Sequence, residues 1–179
     1  MKATWYGILC ILIILTVFLF MQGEAVMAME LKSMAFNNGE YIPRKYTGQA
    51  QDISPGLTWT GIPEQTKGFV LICDDPDAPV GTWVHWVVYD IPQGINSLAE
   101  DIPKIASLPS GIKQGKNDFG NTGYGGPMPP PGKPHRYFFK LYALDTELDL
   151  GPHLTKQEVL NRIQAHIIDQ AQLMGLYKR

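Results

Sequence analysis

Cysteine is nearly absent from this chain of 179 residues, which carries Cys10 and Cys73 and no other. Cys10 falls inside an apolar N-terminal run, so the folded part keeps one thiol and cannot draw stability from an internal disulfide. Cys73 closes the run Phe69-Val70-Leu71-Ile72 and is expected as a small buried hydrophobe, not a reactive thiol. Basic excess is also missing. A formal net charge of −2 excludes the phosphate-neutralising stripe of a nucleic-acid binder. No HxxH, HExxH or CxxC spacing occurs, so a metal site would need ligands gathered from distant segments. No G-x-S-x-G turn occurs either, and Ser54 and Ser110 each adjoin a proline in loop-like sequence, which leaves no obvious nucleophile.

What is present begins with an N-terminal stretch of different material. Lys2 is a minimal positive start, Ile8 to Phe20 is rich in Ile and Leu, and Val26-Met27-Ala28 has the small-residue form of a processing site. Residues 1–28 therefore read as an export signal. No charge occurs between Ala3 and Gly23, nearly enough to span a bilayer, so an uncleaved anchor over 3–23 is the alternative. Either way, residues 29–179 are expected as one exported domain, periplasmic or extracellular, with an ordinary globular balance of 45% hydrophobic and 18% charged residues.

Strand signals dominate that domain. Gly68 to Cys73 is a continuous apolar run ending in acidic turn residues, Trp83 to Ile91 is a second run closed by Pro92, and Arg136 to Leu144 is a third. The third has apolar residues on both faces and is expected inside a sheet. Alternation puts His135, Tyr137, Phe139 and Leu141 on one face of it, and likewise groups His85 with Val87 and Tyr89, opposite Trp86 and Val88. Shorter strands are expected near Met29–Ala35 and Leu57–Thr60. One helix is expected near the C-terminus. Thr155-Lys156-Gln157-Glu158 has the form of a capping box, Val159, Ile163, Ile167, Ala171 and Met174 recur at helical spacing, and Gly175 supplies a stop. His166 lies at the edge of that stripe and reads as a packing residue.

Between Pro92 and Pro134 the chain is rich in Gly and Pro, a length of loop that is usually functional or disordered. Asp118 to Pro127 mixes glycines with anchoring aromatics and reads as an ordered pocket wall. The chemistry gathers around it. Asp75-Pro76-Asp77-Ala78-Pro79 follows a buried strand, its prolines stiffen the carboxylates, and His85 lies a few residues on. A carboxylate beside an imidazole fixes its tautomer and raises its pKa. Such an imidazole attracts an anion, Tyr137 offers a further hydrogen bond, and backbone N–H groups of the glycine-rich loop are candidates to complete the cradle. A metal bound by the two histidines and an aspartate, or acid–base chemistry on the same groups, is the alternative use of this set.

These residues carry a resemblance. Asp75-Pro76-Asp77-Ala78-Pro79 with His85-Trp86, then Gly126-Pro127 and His135-Arg136-Tyr137, resemble the two signature regions of the phosphatidylethanolamine-binding protein family. Ser54-Pro55-Gly56-Leu57-Thr58-Trp59 and Asp118 to Tyr124 are similar to flanking motifs of its bacterial and archaeal, Raf-kinase-inhibitor-like branch. The likeness runs from about Met34 to Tyr177. It implies a mainly β fold, a large antiparallel sheet with a smaller sheet, to which the capping box adds a C-terminal helix. It implies a pocket for phosphate-like anions and phosphoryl-ethanolamine head groups, lined by Asp75, His85, His135 and Tyr137, with Asp77, Gly126 and Pro127 at its wall. It implies binding and not catalysis, no cofactor and no metal, and, in some members, inhibition of kinases or proteases. The partners expected are thus a small anion or phosphoryl head group and a protein target acting at the pocket rim; a homodimer and membrane association through the N-terminal segment are also compatible with the sequence. An exported protein does not meet a cytosolic kinase of its own cell. Pro129-Pro130-Pro131-Gly132-Lys133 lengthens the loop before His135, and Tyr177 is the candidate for an aromatic that the C-terminal helix adds to the pocket in eukaryotic members.

Overall fold

Two antiparallel sheets, one α-helix and a single 3-10 turn at Arg44–Tyr46 are the regular elements of residues 27–179, the part of the chain that the computed structural model describes. The expected export signal or anchor lies outside the described residues, apart from Met27 and Ala28. Among the described residues no helix is long and apolar enough to cross a membrane. The strands are β1 (Glu30–Ser33), β2 (Leu57–Thr60), β3 (Gly68–Asp75), β4 (Trp83–Pro92), β5 (Ser97–Leu98), β6 (Lys113–Gln114), β7 (His135–Leu144) and β8 (Ile167–Tyr177). Helix α1 spans Lys156–Ile163. The small sheet has the order β1-β2-β5 and the large one β6-β4-β3-β7-β8, which places β7 inside the sheet as expected.

Apolar runs on β3 and β4 are continuous because the large sheet is covered on both faces. Phe69, Leu71 and Cys73 of β3 join Trp86 and Val88 of β4 and Leu31, Leu57 and Trp59 of the small sheet in the main core. Val70 and Ile72 face the other way, with Val87, Tyr89 and the α1 residues Val159 and Ile163. Consecutive aspartates at the end of β3 follow the same alternation. Asp74 is fully buried towards α1, accepting from Lys140 Nζ at 2.8 Å and Lys156 Nζ at 2.5 Å, while Asp75 faces the main core. Cys73 is a free, buried thiol whose pKa burial pushes well up.

The C-terminal helix is shorter than its sequence pattern suggests. Thr155 caps it, with both halves of the capping box formed. Eight residues are too few to be stable alone, so the fully buried Val159 and Ile163, worth roughly 1.5–3 kcal/mol each, hold it to the sheet. The chain then turns, and Ile167, Ala171 and Met174, expected on the helix, lie on β8, which pairs with β7 along its whole length. Gly175 is not a helix stop. It sits inside β8, where a Cβ would come within 2.5 Å of the Ile42 side chain. His166 occupies the turn, its Nδ1 2.9 Å from Asp145 Oδ1. Within the long glycine- and proline-rich middle the chain forms the short strands β5 and β6, which the sequence pattern did not indicate.

Candidate functional site

A break in strand register builds the site. Cys73 pairs with Trp86 but Asp74 pairs with Val84, so His85 is an extra residue on β4, a β-bulge. Simple alternation would have sent His85 to the face of Val87 and Tyr89. The bulge instead gives Val84 that face and turns His85 toward Tyr137, the two rings meeting edge-on with centroids 5.0 Å apart. The expected grouping of His85 with Val87 and Tyr89 is therefore wrong, and the error marks the site.

Asp75 ends β3 and is almost fully buried. Its Oδ2 accepts from His135 Nδ1 at 2.8 Å, and its Oδ1 accepts from the backbone N–H of Asp77 at 2.8 Å. Both oxygens are thus committed, and the carboxylate acts on a ligand through His135, whose Nε2 is left for the cavity. His85 donates from Nδ1 to the Gly125 carbonyl at 2.6 Å, because a carbonyl only accepts, so Nε2 is the ring's acceptor while the imidazole is neutral. Burial lowers the pKa of His85, against a smaller lift from that bond and from Asp75. Tyr137 is 1% exposed, and its hydroxyl has no hydrogen-bond partner of proper geometry among the described residues. Burial pushes the phenol above its usual range, and the Asp75 charge adds to this, so it remains a neutral donor.

These four side chains border one cavity of about 210 Å3. Its remaining walls include Trp83, Phe119, Met128 and Pro130. Phe119 stacks edge-on against both Trp83 and His85, at 5.4 and 5.3 Å. Phe119 belongs to the stretch expected as an ordered pocket wall and Pro130 to the lengthened loop, whereas Trp83 and Met128 were not singled out in the sequence. The prolines of the lengthened loop form part of the rim.

Other expected site residues lie beside the cavity and not in its lining. Asp77 is held by Arg136, accepting from Nε at 2.9 Å, Nη2 at 2.7 Å and the backbone N–H at 2.9 Å, and this guanidinium lowers its pKa to about 2. It fastens the acidic turn to the start of β7. Gly126 lines a neighbouring cavity, and Pro127 is in the lining of neither. The Gly126 N–H donates to Asp52 Oδ1 at 2.6 Å, and a Cβ there would lie 2.5 Å from the Tyr46 carbonyl oxygen, so only glycine permits the approach. Gly120, Gly123 and Gly125 spend their N–H groups on the carbonyls of Asn117, Gly115 and His85. The expected cradle of backbone donors is therefore not formed by these glycines, whose role is to shape the wall. Tyr177, opposite His135 on β8, bonds Gln49 Oε1 at 2.6 Å and is not in the cavity lining. Among the described residues no three His, Cys, Asp or Glu side chains converge as a metal-holding group.

Comparison with known proteins agrees with this architecture. The family model described as phosphatidylethanolamine-binding protein matches residues 32–178. A UPF0098 protein of Aquifex aeolicus is 54% identical over 163 residues, 90% of this chain and 94% of the relative. One of Methanothermobacter thermautotrophicus is 50% identical over 151 residues, 84% of this chain and 99% of its own length. Among solved structures, that of YbcL of E. coli, described as a new member of the mammalian PEBP family, superposes with a TM-score of 0.77 at 35% identity, covering 86% of this chain and 99% of that one. A putative PEBP homolog from Chlamydia trachomatis gives 0.76 at 41% identity, with 85% and 98% covered.

Proposed function

Because the chain belongs to the phosphatidylethanolamine-binding protein family, we propose that its cavity over His135 and Tyr137 binds a small phosphoryl-bearing ligand, a head group or a free anion, without turning it over. The observation that carries this reading is the Tyr137 hydroxyl, a buried group with no hydrogen-bond partner of proper geometry among the described residues, set in a cavity wall between two imidazoles. A phosphoryl oxygen supplies that partner. In its protonated form His135 donates a second hydrogen bond from Nε2, its charge balanced by Asp75. The neutral Nε2 of His85 accepts, which suits a phosphoryl group that still carries one proton. No serine, threonine or cysteine borders the cavity for His135 to activate, which favours binding over acyl or phosphoryl transfer.

The test is calorimetry with inorganic phosphate and with phosphoethanolamine. Wild type is expected to bind both, and His135→Ala and Asp75→Ala to weaken binding by roughly tenfold or more, as loss of a charge-assisted hydrogen bond predicts. Absence of binding by wild type sinks the proposal. A second reading, an inhibitor or regulator that meets another protein through the cavity rim, is favoured by Val80 and Met128, apolar side chains 78% and 49% exposed at the mouth. A pull-down from the cell envelope that retains no partner would count against it. The apolar N-terminal stretch of the sequence supports export, and detection of the protein in the cytoplasmic fraction alone would overturn that part.

A further inference from the structure

The cavity over His135 has a neighbour. A second cavity, of about 400 Å3, shares two lining side chains with the first, Phe119 and Met128. Both are part-exposed, at 43% and 49%, so movable side chains lie where the two cavities meet. By itself the first cavity is smaller than the roughly 300–1,000 Å3 usual for a small-molecule site, and the two together fall within it.

The second cavity differs in chemistry from the first. Its floor is the buried Tyr124, whose hydroxyl is spent on the Tyr46 carbonyl, and the backbone of Gly125 running directly under the Phe119 ring. Its polar side chains are Lys104 and Asp52, paired at 2.5 Å, with Asn121, Thr122 and Asn117, the last with its amide spent on the surrounding backbone. The charged pair cancels, so neither a second phosphate nor an ammonium group is favoured. The Asn121 side-chain amide is exposed and, among the described residues, uncommitted to any hydrogen bond, and Lys104 has donors to spare. Aromatic and backbone surface below, with amide, hydroxyl and a neutral ion pair above, matches a group that has C–H faces and several hydroxyls.

We infer that the ligand is a phosphorylated polyol, its phosphoryl group at Tyr137 and His135 and its hydroxylated carbon part crossing Phe119 into the cavity of Lys104 and Asn121. This rests on the phosphoryl-binding reading above. The test is calorimetry on the protein with inorganic phosphate, phosphoethanolamine and glucose 6-phosphate. Glucose 6-phosphate is expected to bind about tenfold more tightly than phosphate, and phosphoethanolamine to resemble phosphate. Asn121→Ala, whose side chain holds nothing in the fold, and Lys104→Met should each cut that advantage to about threefold or less while leaving phosphate affinity within about twofold. Equal binding of phosphate and glucose 6-phosphate, an advantage unmoved by Asn121→Ala, or a gain for phosphoethanolamine instead would overturn the inference and leave phosphoryl binding standing. No binding of inorganic phosphate would take both down.

Discussion

Removing the Tyr137 hydroxyl should move stability and binding in opposite directions. The ring is buried in the main core and stacked against His85, so Tyr137→Phe keeps the packing and deletes only the oxygen. That oxygen is buried without a partner, a condition that costs roughly 1–3 kcal/mol. A water entering from the adjoining cavity recovers part of this, so the ligand-free variant should be more stable by about 1 kcal/mol. For a domain of this size that raises Tm by about 3 °C. A phosphoryl ligand loses a hydrogen bond to a charged oxygen, worth roughly 1.5–3 kcal/mol, and should bind about 10- to 150-fold more weakly. Because burial holds the phenol above its usual pKa, the binding defect should be the same across the neutral range. Calorimetry with inorganic phosphate and thermal unfolding without it are sufficient. A variant that unfolds several degrees lower and binds phosphate as well as wild type would refute the reasoning, since the hydroxyl would then serve the fold and not the ligand.

Three further outcomes are expected. Asp74→Ala strands Lys140 and Lys156, whose partly exposed ammonium groups can turn to water; the cost should be about 2–3 kcal/mol, read as a Tm lower by about 6–9 °C, with phosphate binding little changed. Asp77→Asn should cost about 1 kcal/mol near neutral pH, after allowance for the half-exposed Arg136. Because the folded pKa of Asp77 is depressed to about 2, its stabilisation is present above the unfolded carboxyl pKa near ~3.9 and is lost as pH falls toward 2, so wild type and variant should converge in urea unfolding there. His85, whose folded pKa is lowered by burial, should titrate by NMR below the usual imidazole value of ~6.5, and folding should lose its contribution as pH falls from there through the folded pKa; a midpoint above ~6.5 would contradict the neutral acceptor assigned to its Nε2.

The strands were legible because their signals are local, but the pairing of carboxylate and imidazole was not: the sequence set the acidic turn beside His85, whereas Asp75 bonds His135, and His85 bonds the Gly125 carbonyl with its pKa lowered by burial. β2 occupies the expected Leu57–Thr60, and β3, β4 and β7 differ from expectation only at their ends. The β8 error has a definite cause. Ile163, Ile167 and Ala171 are four residues apart, and a spacing of four satisfies a helix and a strand equally, because it is a multiple of two. The deciding pattern was the alternation of Ala171, Leu173, Gly175 and Tyr177, all buried on β8. The capping box fixed where α1 begins, but nothing equally strong marked its end.

His85 was illegible in a different way. Strand alternation is a statement about regular pairing, and it fails wherever a bulge inserts a residue. Here that failure is what brings the second imidazole to the cavity: with regular pairing His85 would enter the α1-side core, where a polar ring would lack the Gly125 carbonyl as partner. The same logic separates Asp74 from Asp75. Adjacent in sequence and alike in chemistry, they are sent to opposite faces by the pleat, one to fix the helix to the sheet and the other to hold His135. Their different roles are a property of sheet geometry, so a residue inserted in β3 between Asp74 and Asp75 should send Asp75 to the face of Asp74 and abolish the cavity's His–Asp pair, while an insertion in the exposed loop near Gly132 should leave that pair intact.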